Sequence, residues 1–495
     1  MSVDLPRPVD VRTALRSPRL LRTEVLGGLV VALALIPEAI SFSVIANVDP
    51  RVGLFAAVTM AITISFVGGR PAMISAATGA VALVVAPLAK EYGLDYLVAT
   101  VLLAGVFQVV LGVLQIGRLM RFVPRSVMVG FVNALGILLA LAQWENLHDV
   151  PWAVYPLTAA AIAIIWLFPR LNKVVPAPLI AILLLTALTW AGGVDVPTVS
   201  DKGALPDSLP PFGLPDVPYA WHTLEIIAPY ALGMALVGLM ESLMTAKFVD
   251  DITDSHSDKN REARGQGIAN LVTGLFGGMG GCAMIGQTMI NVRQAGARTR
   301  ISTFLAGAFL LIMLLALGDV VGRIPMAALA GVMIMVAIGT FDWHSLRTLR
   351  RMPRSETTVM VATVVVVVAT SNLAIGVVVG VIIAALLFAR RVAHLADVNR
   401  TVVEADGALV AHYTVTGELF FASSNDLYSQ FDYAEDPAQV VIDFTDSHIW
   451  DASTVAALDA VTTKYRHHGI DVEVRGLNAA SSQMYERLTG HLASH

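Results

Sequence analysis

Charge is what this chain has least of. Only 14% of its 495 residues are Asp, Glu, Lys or Arg, against 56% hydrophobic, and the mean hydropathy is +0.70. Soluble globular chains carry about 25% charged residues. The charges here are too few to cover a water-soluble surface of this size, so a bilayer must solvate most of the chain. Cysteine is nearly absent too: Cys282 stands alone, which excludes an intramolecular disulfide framework and a thiolate metal site. The net charge of −5 is spread along the chain and offers no basic patch for nucleic acid. The Gly-rich residues 274–281 are not followed by Gly-Lys-Ser/Thr, so the signal for a phosphate loop is weak. No nucleophile–base–orienter set, metal-ligand cluster or cofactor loop is visible, so neither an enzyme nor a cofactor is expected. Residues 1–22 are rich in Pro and Arg and lack the short apolar core of a signal peptide. The first span is expected to act as its own insertion signal.

What is present is a succession of apolar runs of about 15 to 22 residues, close to the length a helix needs to cross the hydrocarbon. They fall near 22–41, 52–69, 95–116, 125–144, 152–168, 175–191, 223–249, 265–279, 300–318, 325–339, 357–371 and 373–391. Two further stretches, 71–89 and 281–292, are shorter or broken by small and polar residues, giving about fourteen membrane-entering segments. Basic residues cluster before the first span (Arg7, Arg12, Arg16, Arg19, Arg22). They recur at Arg118/Arg121/Arg125, Arg170/Lys173, Lys259/Arg261/Arg264, Arg293/Arg298/Arg300, Arg347/Arg350/Arg351/Arg354 and Arg390/Arg391. The long loop at 192–222 has only Lys202. By the positive-inside rule both termini are cytoplasmic, in a multi-pass protein of the inner (plasma) membrane. Counted this way, 71–89 and 281–292 run in opposite directions and occupy matching places in two halves of inverted topology. The expected divisions are a cytoplasmic N-terminal segment (1–21), a first repeat (22–193), an extracytoplasmic loop (194–222), a second repeat (223–393) and a soluble cytoplasmic domain (394–495).

Short, Gly-interrupted segments in corresponding places of two inverted halves point to a midplane binding site. Residues 71–79 (PAMISAATG) precede an apolar run and predict extended backbone, then a half-helix starting somewhere between residues 76 and 80. Residues 277–281 (GGMGG) predict the same from the opposite side, with a half-helix over about 283–292. Two helix N-termini then face one another and together attract an anion. Ser75, Thr78, Gln287 and Thr288 are polar side chains placed to assist. Two carboxyl groups lie within spans: Glu38, after Pro37, and Glu241, each in the first span of its half. A charge near the bilayer centre costs about 2.5–3.5 kcal/mol and is functional by default. These groups are therefore candidate proton carriers; the plainer reading is a neutral acid or an interhelical hydrogen bond, and Glu38 could also be hydrated near the outer surface. Lys247 is expected to snorkel. Asp250, Asp251, Asp254 and Asp258 are expected in a hydrated cytoplasmic loop, Cys282 as a small residue before the half-helix, and Gln108, Asn133 and Asn270 as interhelical hydrogen-bond formers.

Several stretches together resemble the SulP anion transporters, which include sulfate permeases, bicarbonate transporters and prestin-like proteins. They are residues 36–42 (IPEAISF), 50–57 (PRVGLFAA), 66–70 (FVGGR), 237–242 (VGLMES), 277–280 (GGMG) and 291–299 (NVRQAGART). The resemblance implies two intertwined seven-segment inverted repeats arranged as core and gate domains, a dimer, and elevator-like transport. It implies a substrate site between the half-helices of segments three and ten, flanked by segments one and eight. That surrounds the site with Glu38, Ala76, Ala77, Thr78, Glu241, Ala283, Met284, Gln287 and Thr288. Many relatives carry an Arg near the position of Gln287. Its lack here removes a fixed cation and favours proton-coupled symport through Glu241 and Glu38 over electroneutral exchange. Sulfate, bicarbonate and dicarboxylates all occur in the family, and the missing Arg does not choose among them.

Residues 401–495 alternate strand-like and helix-like patterns: strands at 408–413, 418–421, 440–444 and 472–475, and helices at 424–431, 453–467 and 481–488. Residues 440–455 (VVIDFTDSHIWDASTV) resemble the strand–loop–helix of a STAS domain, a small α/β module. That resemblance makes Ser453 the candidate regulatory residue. The surrounding Asp451-Ala-Ser-Thr454 lacks the usual first Ser and the Gly, which weighs against phosphorylation and leaves Ser453 as a candidate helix cap. The functional readings are a secondary active transporter of small anions, a passive anion channel or uncoupled exchanger, and a membrane-tethered receptor. A nucleobase permease is a further substrate-level alternative.

Overall fold

The computed structural model describes residues 10–115, 117, 123–171, 176–203, 212–349, 351–393, 396–405 and 408–489. Arg7, Arg118, Arg121, Lys173 and Arg350 of the basic clusters lie outside the described residues. The chain divides into two compact units, 1–381 and 382–495.

The first unit is built from helices α1 (Pro18–Ile45), α2 (Pro50–Val67), α3 (Gly79–Tyr92), α4 (Leu94–Val113), α5 (Arg125–Leu141), α6 (Val154–Leu167) and α7 (Ala177–Gly192). There follow α8 (Trp221–Thr253), α9 (Lys259–Leu275), α10 (Ile285–Met289), α11 (Arg300–Gly322), α12 (Met326–Thr340) and α13 (Arg354–Thr370). Helix α14 (Leu373–Ala393) carries the chain across the division between the units. Short strands β1 (Ser75–Ala76) and β2 (Cys282–Ala283) precede α3 and α10. Among the described residues, seven helices are long and apolar enough to cross a membrane, and three shorter apolar ones accompany them. Beside these stand the two broken segments that the sequence singled out, at 71–89 and 281–292.

The packing partners map onto themselves when each helix is exchanged for the one seven places on. Contact between α1 and α11 is matched by α8 with α4, α2 with α11 by α9 with α4, and α5 with α13 by α12 with α6; α2–α9, α5–α12 and β1–β2 map to themselves. Each half thus buries its apolar surface against the other, as two interlocked repeats. Small residues allow the close approaches: a Cβ on Gly267 would lie 2.6 Å from the backbone oxygen of Gly105, and one on Gly265 would lie 2.9 Å from Gly68 Cα.

Two of the boundaries that differ from the sequence reading have a local cause. Helix α9 starts at Lys259 rather than 265, because the Asp258 carboxylate accepts from the N–H groups of Asn260 (3.0 Å) and Arg261 (2.9 Å). Helix α8 runs to Thr253 and takes Asp250 and Asp251 with it, ending where Asp254 turns left-handed (φ 46°). Asp250 is not in a hydrated loop: its carboxylate pairs with Arg70 at 2.9 Å and Lys259 at 2.5 Å, largely shielded from solvent.

The second unit is a mixed four-stranded sheet in the order β3–β4–β5–β6, formed by Asp397–Ala405, Ala408–Leu419, Gln439–Ile449 and Asp471–Arg475. The first pair is antiparallel and the others parallel. Helices α15 (Phe421–Leu427), α16 (Ala452–His467) and α17 (Ala479–Leu488) accompany it. Strand β3 was not expected, because its exposed, largely polar face gives little apolar signal. The strands expected at 408–413 and 418–421 are one, continued through a register shift near Thr414 and Thr416. Ser453 does not cap α16; Asp451 does, accepting from Thr454 N–H at 3.1 Å, and Ser453 is exposed in the first turn.

Candidate functional site

At the centre of the first unit β1 and β2 pair antiparallel, Ser75 opposite Ala283 and Ala76 opposite Cys282. Each strand leads directly into a helix, α3 at Gly79 and α10 at Ile285. Antiparallel strands therefore bring two helix starts together, each with N–H groups that lack an intrahelical partner. Helical backbone on the second side continues to Gln294, the stretch Ile290–Gln294 in π turns. The local sequence explains the break. Gly280 adopts φ 72°, and a Cβ on Gly281 would strike the carbonyl oxygen of Ala76. Ala72 holds a left-handed φ of 61°, its carbonyl oxygen fixed by Asn291 Nδ2 at 2.8 Å.

A polar frame holds the pair in place. Met284 N–H donates to Ile74 O (2.9 Å), and Ile74 N–H to Thr288 Oγ1 (3.0 Å). Ala283 N–H donates to Ser242 Oγ on α8 (3.0 Å). Asn270 of α9 clasps Gly281 at both backbone atoms, accepting from its N–H at 2.9 Å and donating to its oxygen at 3.0 Å, and donates to Gln108 of α4 at 2.8 Å. Asn133 likewise joins Asp342 and Ser345. The interhelical roles expected for Gln108, Asn133 and Asn270 are all present. From the other side Gln266 Nε2 donates to Ser75 Oγ (2.7 Å) and to Glu262 (2.8 Å), whose carboxylate also accepts from Gly69 and Arg70 N–H at 2.7 and 2.9 Å. Glu24 of α1 receives the N–H groups of Arg298, Thr299 and Ser302 at the start of α11. Glu24 and Glu262 escaped the sequence reading because each lies at a span end beside basic residues and reads as surface charge.

A cavity of about 890 Å³ opens beside the strand pair. Of the residues singled out from sequence, Glu38, Thr78, Glu241, Met284 and Gln287 line it together. Ala76, Ala77, Ala283 and Thr288 are buried behind that wall, in the framework just described. Gln287 Nε2 donates to Glu38 Oε1 at 2.6 Å, joining the two halves across the site. Its Oε1 is buried and has no hydrogen-bond partner among the described residues. Glu38 is held inside the unit rather than hydrated at an outer surface. Glu241 Oε2 accepts from Cys282 Sγ at 3.0 Å, and Cys282 Sγ lies 3.1 Å from Thr78 Oγ1. Thr78 in turn caps α3, accepting from Val81 N–H at 3.3 Å. Cys282 is thus more than a small residue before a half-helix; a lone Cys in an apolar run gives no sequence signal of such a bridge. Arg125, Lys247, Asp251 and Asp342 extend the cavity wall. Among the described residues no group of His, Cys, Asp and Glu could hold a metal ion.

Apolar helices interlocked in two halves, with a broken, polar-framed segment from each meeting at a cavity, define a polytopic membrane protein with an internal cavity. Residues 21–154 and 144–363 match the sulfate permease family, and residues 399–491 match the STAS domain. The chain is 50% identical over 468 residues to the putative sulfate transporter YbaR of Bacillus subtilis, covering 94% of this chain and 97% of that one. The transmembrane domain of a cyanobacterial bicarbonate transporter, BicA, superposes with a TM-score of 0.64 at 25% identity, over 74% of this chain and 98% of that one. Murine Slc26a9, an anion transporter, shares the fold with a TM-score of 0.82 at 17% identity, over 94% and 87% of the two chains. This chain belongs to the sulfate permease family, whose members are transporters rather than enzymes, and it carries a STAS domain.

Proposed function

We propose that this protein is a secondary active transporter of small anions, with sulfate, bicarbonate or a dicarboxylate as cargo, that couples anion entry to protons. The observation that carries the reading is the convergence of two helix starts, from opposite halves, on one cavity that also holds Glu38 and Glu241. The helix starts offer N–H donors and partial positive charge to an anion. Two carboxyl groups beside them oppose a bare anion and welcome one that arrives with a proton. Glu38, Thr78, Glu241, Met284 and Gln287 form the substrate wall in this reading, with Ala76, Ala77, Ala283 and Thr288 behind it. Glu241 and Glu38 carry the proton. Transport proceeds by elevator-like movement of the group α1–α4 and α8–α11 against α5–α7 and α12–α14, in a homodimer of the plasma membrane with both termini cytoplasmic. The domain divisions at 22–193 and 223–393 follow the same scheme. Regulation through the C-terminal domain would act at exposed Ser453.

Uptake of radiolabelled sulfate, bicarbonate and fumarate into proteoliposomes tests this. One anion is expected to enter faster under an inward proton gradient, and Glu241→Gln to abolish that stimulation. Uptake indifferent to both gradient and variant leaves an exchanger or channel and removes proton coupling.

A further inference from the structure

Three groups join the second carboxyl to the first half-helix. Glu241 and Thr78 both line the cavity, while Cys282, which bridges them at 3.0 and 3.1 Å, is fully buried. A thiol has one hydrogen to donate and weak lone pairs to accept with. With Glu241 as carboxylate, the Sγ–H must point at Oε2. The Thr78 O–H then donates to sulfur, and its oxygen accepts from Val81 N–H. When Oε2 takes a proton from the cavity it becomes the donor to sulfur. The Sγ–H then turns towards Thr78 Oγ1, and the Thr78 O–H, its bond intact, swings from sulfur to point into the cavity, where α3 begins. No covalent bond changes other than that new O–H.

We propose that Cys282 is a positioning residue that carries the protonation state of Glu241 to Thr78, adding an O–H donor for the anion at the moment the carboxylate charge is removed. The inference rests on the anion-site reading above and goes beyond it: proton and anion bind cooperatively through a hydrogen-bond relay as well as through charge. The carboxyl group meets Cys282 from β2. Glu38 of α1, Arg125 of α5, Asp342 after α12, and Lys247 and Asp251 of its own helix share the cavity with it. The neighbouring polar groups of α4 and α9, Gln108 and Asn270, are amides that do not titrate.

Because Cys282 is the chain's one cysteine, its S–H stretch is a private infrared reporter. Infrared difference spectra of the full-length protein in lipid vesicles, recorded between about pH 5 and 9 with no anion substrate, should show the S–H band shifting in step with a carboxyl band. Glu241→Gln should remove that carboxyl band and freeze the S–H band, while Cys282→Ala confirms the assignment. An S–H band that stays fixed while the Glu241 carboxyl titrates overturns the relay, as does a Glu241 carboxyl that never titrates. In vesicle uptake of the same three anions, Cys282→Ala and the volume-keeping Cys282→Val should each flatten the pH dependence of KM at least threefold. Cys282→Ser, which keeps donor and acceptor, should retain it. A wild-type pH profile in the Ala and Val variants also defeats the relay. Failure of the transport reading looks different: no anion enters, yet the S–H band still moves with pH.

Discussion

Gln287 shows how one residue's chemistry sets the character of the site. Its nitrogen is spent on Glu38, and its oxygen is buried without a partner among the described residues. Gln287→Arg would replace that neutral contact by a fixed cation beside Glu38. Anion KM is expected to fall about three- to tenfold, since 1.4 kcal/mol is a factor of ten. Stimulation by a proton gradient is expected to weaken, because the added charge does part of what a bound proton does; initial-rate uptake at two external pH values reads both. At this scale the sequence was informative where polarity interrupted an apolar run. Glu38, Thr78, Glu241 and Gln287 stood out for that reason, and they do share one cavity. Cys282 did not, because its partners come from Thr78, 204 residues away, and from Glu241 on another helix. Nothing local marks such a contact.

Among the elements, α11 depends on a residue of the first span. The Glu24 carboxylate accepts the N–H groups of Arg298, Thr299 and Ser302 at 2.8, 3.0 and 3.1 Å, an arrangement that suits a negative charge at a helix start. Glu24→Ala leaves these donors buried without acceptor and should cost about 2 kcal/mol of stability, with Glu24→Gln costing less. The unfolding midpoint in detergent should fall for both variants, while anion KM stays within about twofold of wild type. Most helices were legible as long apolar runs, and the two breaks as Pro and Gly within them. The pairing of β1 with β2 was not legible, since two-residue strands carry no periodicity. Asp258 and Asp254 mark helix ends at polar positions that hydropathy alone reads as loop. In the second unit the apolar runs of β4 and β5 were visible, whereas the exposed β3 strand carried no comparable run.

For the whole first unit, the proposed motion can be tested at one contact between the two helix groups. A Cβ placed on Gly233 of α8 lies 3.7 Å from the Ala374 Cβ of α14, within the span of a disulfide. Gly233→Cys with Ala374→Cys, in a Cys282→Ser background, should cross-link under oxidation and arrest uptake, and reduction should restore it. Free transport in the fully cross-linked protein would refute movement at this contact. The interlocking of the halves also bears on how the molecule is made. Ile74 donates to Thr288, 214 residues further along the chain. At about 5–20 residues per second, the ribosome needs about 10–40 s to supply that partner. Until then the Pro71–Thr78 backbone has neither its strand nor its acceptor, in a solvent that offers none. Biosynthesis therefore passes through a half-built protein that cannot settle, and the insertion machinery must shelter the strand of the first half until that of the second emerges.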